Sequence, residues 1–236
     1  MAGRHCPAGF SAYVPHMDHV SRENRPPPPQ ASQIGAPGFL WTLVGIMAAI
    51  ELVLSLSDAG YIGATGLRWQ AYALGAFWQP VFAGTIPPAW PGQAVAMFIT
   101  HAFLHGGLMH LALNAVILLS LGKFVAARVG PVRTLAVLFL SAVGGALLFG
   151  LLAFTDAPMI GASGAVFGLV GLWQADEYHL RRRHGLTLKP VFTAILGLVA
   201  ANVAFFVMLS GGLAWEAHLG GWLAGGLAGL VLLRNR

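Results

Sequence analysis

Gly161-Ala162-Ser163-Gly164-Ala165-Val166-Phe167-Gly168 sets a lone hydroxyl among small residues where a long apolar segment begins. Small residues let helix backbones approach closely inside a bilayer, so Ser163 reads either as polarity at a helix contact or as a nucleophile. What the rest of the chain brings to the same depth decides between the two.

Composition places the chain in a membrane. Of 236 residues, 57% are hydrophobic and only 9% are charged, and the mean hydropathy of +0.72 is foreign to soluble domains. The formal net charge of +5 does not indicate nucleic acid, because the basic residues are scattered between apolar runs without a nucleic-acid-binding signature. A single cysteine, Cys6, excludes an intramolecular disulfide and argues against thiol chemistry and cysteine metal sites.

Residues 1–37 hold the Pro26 to Pro29 run and no sustained apolar period, which predicts a disordered cytoplasmic tail. Their first apolar run is too short, and too broken by His5, Pro7 and Pro15, to serve as a cleaved signal peptide. From residue 38 to 236 the pattern predicts an all-α, six-span bundle. A crossing needs about 20 apolar residues, and the expected spans are 39–57, 107–127, 132–154, 161–175, 191–210 and 213–233. Between the first two lies a connector, 58–99, dense in aromatics and punctuated by Pro80, Pro87, Pro88 and Pro91, which reads as a long interfacial loop. A competing seventh crossing over 72–86 is short and broken at Pro80.

Lysine and arginine orient the bundle, since they accumulate on the cytoplasmic side. With both termini cytoplasmic, twelve fall inside and only Arg68 falls outside. A cytoplasmic N-terminus without an organelle-targeting signal points to a bacterial plasma (inner) membrane.

Orientation fixes depth, because an α-helix rises 1.5 Å per residue. Ser163 lies thirteen residues from Asp176, and His110 thirteen from Lys123, so both stand roughly 20 Å from the cytoplasmic side. His218, sixteen residues from Arg234, stands at roughly 24 Å. Three polar side chains from three helices thus share one layer, and ionisable groups at such depth usually face a bundle interior or a water-filled cavity. Gly221, Gly225 and Gly229 thin one face of the His218 helix as Gly164, Gly168 and Gly171 thin the Ser163 helix. Close backbones there would bring imidazole and hydroxyl to about 2.6–3.2 Å, the geometry of an activated serine.

His110 and Asn114 are four apart and share a helix face, where their N–H donors suit either a developing oxyanion or a plain interhelical hydrogen bond. Zinc hydrolysis is a poor fit for His101, His105 and His110. His101 and His105 enclose Ala102, Phe103 and Leu104 where a glutamate general base would be needed. No metal or other cofactor is expected. Glu51 and Asn202 are further polar groups at membrane depth; for Glu51, a hydrogen bond between helices and membership of the site both remain open.

Together these residues resemble the rhomboid family of intramembrane serine proteases. The likeness rests on His105, His110 and Asn114, on Gly161-Ala162-Ser163-Gly164, and on Ala217-His218 with Gly221 and Gly225, in that order over residues 39–233. It implies a Ser163/His218 dyad that cleaves peptide bonds in or beside the transmembrane segments of membrane-protein substrates, within the lipid bilayer. By the same resemblance His110, Asn114 and the Ser163 N–H would hold the oxyanion. Phe167 would pack under the catalytic histidine where tyrosine is familiar, and His105 would support the first external loop. Gly161 opens the serine motif, and residues 191–210 would be the lateral substrate gate.

Two departures stand out. Where similar bacterial enzymes carry Trp-Arg before the first histidine and Glu further along the helix after the asparagine, this chain has Ala96-Met97 and Ala126. Polar anchoring of the connector is therefore in question, and its aromatics, Trp78 and Trp90 among them, are the alternative anchors. A non-catalytic rhomboid-like protein that escorts membrane clients is the main rival function. A transporter would be expected to show repeat symmetry and broken helices, which the sequence lacks.

Overall fold

The computed structural model describes residues 35–63 and 66–234. The tail expected over 1–37 therefore falls outside the described residues as far as position 34. Among the described residues there are nine α-helices and no strands: α1 (Gly38–Asp58), α2 (Leu67–Gly75), α3 (Gln79–Phe82), α4 (Gln93–Thr100), α5 (Leu108–Val129), α6 (Pro131–Leu152), α7 (Ser163–Arg183), α8 (Lys189–Met208) and α9 (Trp215–Leu232). The molecule is an all-α membrane bundle. Four of these helices, α1, α5, α6 and α8, are long and apolar enough to cross a membrane. The other two long helices, α7 and α9, are diluted by glycine and polar residues because their faces meet protein.

The long helices begin and end within about two residues of the expected spans, except α7, which runs on to Arg183, eight residues past the expected span 161–175. Charged residues are good helix formers, and here they are paired. Glu177 accepts from Arg181 one turn later at 2.6 Å, and Asp176 takes a two-pronged contact from Arg128 at the end of α5, at 2.7 and 2.9 Å. Arg183 then donates to the Leu233 and Arg234 carbonyls past the end of α9. Polar pairing therefore gathers at one end of α5, α7 and α9.

The described residues of the connector 59–107 contain α2, α3, α4 and a single 3₁₀ turn, His101–Phe103, none of them long enough to span a bilayer. Pro80 sits in the first turn of α3, where its missing N–H would be unsatisfied in any case.

At the centre α9 packs on both α6 and α7, which also touch each other, with backbone against backbone. A Cβ on Gly221 would be driven into the Gly164 carbonyl, and one on Gly225 into the Gly168 carbonyl. Apolar side chains fill the space around this seam: Leu40 and Met47 of α1, Leu118 of α5, Val137 of α6, Leu169 and Leu172 of α7. Outward-facing positions stay apolar, with Val116, Val132, Phe139, Leu151 and Val203 all more than half exposed. In water such a surface would drive association; a hydrocarbon environment accepts it.

Candidate active site

Ser163 is the first residue of α7, and the segment before it is pinned from outside the bundle. The Phe77 and Met159 backbones exchange two hydrogen bonds of 2.9 and 3.0 Å, and the Gly161 N–H donates to the His101 carbonyl at 2.9 Å. Gly161 has φ +109°, a conformation that side chains disfavour, and a Cβ there would lie 2.8 Å from the His110 ring. Gly161 is thus required both by its backbone and by the imidazole resting on it.

Across the glycine seam, Ser163 Oγ and His218 Nε2 are 2.9 Å apart. Phe167, one turn along α7, stacks on the His218 imidazole at 4.0 Å between ring centroids and 9° between planes. On the far side of His218, Nδ1 lies 2.7 Å from Asn202 Oδ1 of α8. Asn202 was noted from the sequence only as a polar group at depth; the cost of burying an amide in hydrocarbon was the signal that could have placed it here.

His110 and Asn114 occupy the first two turns of α5. The Gly106 N–H donates to His110 Nδ1 at 3.3 Å, so a neutral ring carries its proton on Nε2, the atom that faces Gly161. Asn114 Nδ2 donates one hydrogen to the His110 carbonyl at 3.0 Å and keeps a second for another acceptor. α5, α7 and α9 all start near this layer, so three helix N-termini, with N–H groups lacking intrahelical partners, point toward it. The arrangement suits an activated hydroxyl beside a place where negative charge develops.

A rhomboid domain is recognised over residues 92–235, more than half of the chain. The chain belongs to the rhomboid family. It is 34% identical over 131 residues to RHOMBOID-like protein 4 of Arabidopsis thaliana, covering 56% of this chain and 32% of that one. It is 31% identical over 138 residues to Rhomboid-like protease 3 of Toxoplasma gondii, covering 58% and 52%. Over 73 residues it is 37% identical to Inactive RHOMBOID-like protein 8 of Arabidopsis thaliana, covering 31% and 20%. This rhomboid chain spans about half or less of the length of these relatives.

The connector of this rhomboid is held by a polar clamp built from residues other than those expected. Arg68 of α2 reaches the fully buried Glu51 of α1 with both terminal nitrogens, at 2.8 and 2.9 Å, and its Nε donates to Asp58. The same guanidinium donates to the His105 carbonyl at 2.8 Å, where the Tyr72 hydroxyl also donates at 2.7 Å. These partners hold Arg68 firmly protonated, the Glu51 contact foremost. His105 therefore meets the clamp through its backbone, while its ring meets His110 edge-on at 5.1 Å.

Aromatic anchoring is shared: Phe77 is fully buried against Phe98 and Phe149, Phe82 lies against Gly150 of α6, and Trp78 packs on the cluster that includes Leu54 of α1. Trp78 and Trp90 donate to the Tyr72 and Leu74 carbonyls, tying the connector to itself. Buried Gln93 does the same, donating to the Ala73 carbonyl and accepting from the Ala89 N–H. Burial pushes the His101 and His105 imidazoles down to about 4, and the His101 Nδ1–H donates to the Met97 carbonyl at 2.8 Å.

Proposed function

We propose that this rhomboid is an intramembrane serine endopeptidase that hydrolyses peptide bonds in or next to the transmembrane segments of membrane-protein substrates. Ser163 is the nucleophile, and His218 the general base and acid. The 2.9 Å approach of Ser163 Oγ to His218 Nε2, across two helices held together by glycine, is the observation that carries this reading. In the first step His218 Nε2 takes the hydroxyl proton as Oγ attacks the scissile carbonyl. The oxyanion accepts from the Ser163 backbone N–H, the His110 Nε2–H and the second amide hydrogen of Asn114; loss of one such donor slows acyl transfer by about 10²–10³.

His218 next protonates the leaving amine. It then activates the water that hydrolyses the acyl-enzyme, water reaching the site from the outer side. Phe167 limits rotation of the imidazole by stacking, Gly161 leaves room for His110, Gly221 and Gly225 bring the two helices together, and His105 steadies the connector. No metal or other cofactor enters this chemistry. The reading includes six crossings with both termini cytoplasmic, supported by the twelve-to-one distribution of lysine and arginine.

Detergent-purified protein treated with a fluorophosphonate probe should be labelled on Ser163. The label should vanish in Ser163→Ala and fall sharply in His218→Ala, and each variant should lose cleavage of a reconstituted transmembrane substrate. An unlabelled wild type that cuts no such substrate would overturn the assignment in favour of a client-binding protein.

A further inference from the structure

We propose that Asn202 is a positioning residue for His218, making the catalytic unit of this chain a Ser163–His218–Asn202 relay; the inference rests on the reading of Ser163 as nucleophile. Three distances define the chain of contacts. Asn202 Nδ2 donates to the Leu198 carbonyl of its own helix at 3.0 Å, which fixes the amide so that Oδ1, an acceptor, is the atom left for His218. His218 Nδ1 is 2.7 Å from that oxygen, so Nδ1 must carry the hydrogen that closes the contact. In a neutral imidazole the proton on Nδ1 leaves the lone pair on Nε2, which faces the Ser163 hydroxyl at 2.9 Å.

The amide thereby selects the one tautomer that can act as a base toward Ser163, and it offers an acceptor to the imidazolium that forms when the proton moves. A serine–histidine pair with nothing on Nδ1 would divide its population between two tautomers, one of them unable to accept from the hydroxyl. The surroundings make the amide the polar choice available. The cavity of about 400 Å³ beside His218 is lined by Asn202 among apolar residues such as Phe167, Val199, Phe206, Leu219 and Trp222. Val191 is the buried residue of α8, so packing explains little of why an amide is kept at membrane depth.

Full-length protein in detergent tests this with Asn202→Leu, of similar size but lacking the acceptor, and Asn202→Asp, which keeps it. Fluorophosphonate labelling of Ser163 in Asn202→Leu should slow by about tenfold, the worth of one hydrogen bond in a dry site. Cleavage should lose kcat with KM little changed, and Asn202→Asp should restore most of the rate. In ¹⁵N-histidine spectra, His218 of the wild type should show Nδ1 protonated, and Asn202→Leu should move population toward the Nε2 tautomer with an unchanged melting temperature. A labelled wild type, an equally fast Asn202→Leu and unchanged ¹⁵N shifts would overturn this proposal alone. An unlabelled wild type would overturn the Ser163 reading and this one with it.

Discussion

Replacing Arg68 by alanine should be among the most damaging single changes outside the glycine seam. Glu51 is fully buried and its carboxylate takes both terminal nitrogens of Arg68, with the Ser55 hydroxyl at 2.8 Å as its other partner. Deleting the guanidinium strands that charge inside α1 and also takes one donor from the His105 carbonyl. Breaking a buried pair by removing one partner costs about 3–5 kcal/mol. At 2–4 °C per kcal/mol, the melting temperature should fall by roughly 6–20 °C. Thermal unfolding in detergent measures this, and limited proteolysis should show cuts within 59–107 before the bundle opens. The double variant Arg68→Met/Glu51→Leu should recover much of the loss, because a buried pair exchanged for apolar groups is often nearly neutral. An Arg68→Ala protein melting within about 2 °C of wild type would mean the carboxylate is hydrated or protonated, and the clamp would not be what holds the connector.

Two further outcomes follow from the packing and the buried imidazoles. Gly221→Ala and Gly225→Ala should each block assembly of α7 against α9, whereas Gly197→Ala, with open space around it on α8, should be neutral or stabilise by up to about 1 kcal/mol; expression and melting in detergent separate the two classes. His101 and His105 titrate near 4 in the fold against an ordinary value near 6.5. Because the folded values are lowered, the unfolded chain binds protons first as pH falls. Full stability therefore holds above about 6.5 and declines toward pH 4, by up to about 3 kcal/mol per imidazole. A melting profile flat across that window, or one unchanged by His101→Gln, would contradict the burial argument.

Much of the bundle was legible because a bilayer imposes a length and an apolar run on each crossing, and the fixed helix rise then placed Ser163, His110 and His218 in one layer. Depth arithmetic needs no knowledge of neighbours, so it applies to residues more than fifty positions apart such as Ser163 and His218, which meet at 2.9 Å. The clamp was not legible for the opposite reason. Arg68 sits in an aperiodic, proline-broken connector and appeared only as the single cation on the outer side; its partner Glu51 lies seventeen residues earlier, in another element. The reach of α7 to Arg183 was missed because hydropathy ends at Asp176 while helix propensity and ion pairing continue. Asn202 was seen as polar at depth, but its direction depends on how α8 is rotated, and an apolar helix with no strong amphipathic face gives no rotational signal.

The backbone seam between α7 and α9 has a consequence for how this sequence can drift. When a side chain grows in an ordinary core, a neighbour can shrink to restore the fit. What faces Gly221 and Gly225 is the main chain of Gly164 and Gly168, which no substitution can make smaller. A screen for intragenic suppressors of Gly221→Ala should therefore return true revertants and no compensating side-chain change in α7. These two positions on the seam that brings Ser163 and His218 together would then be closed to the gradual exchange by which most protein interiors diverge.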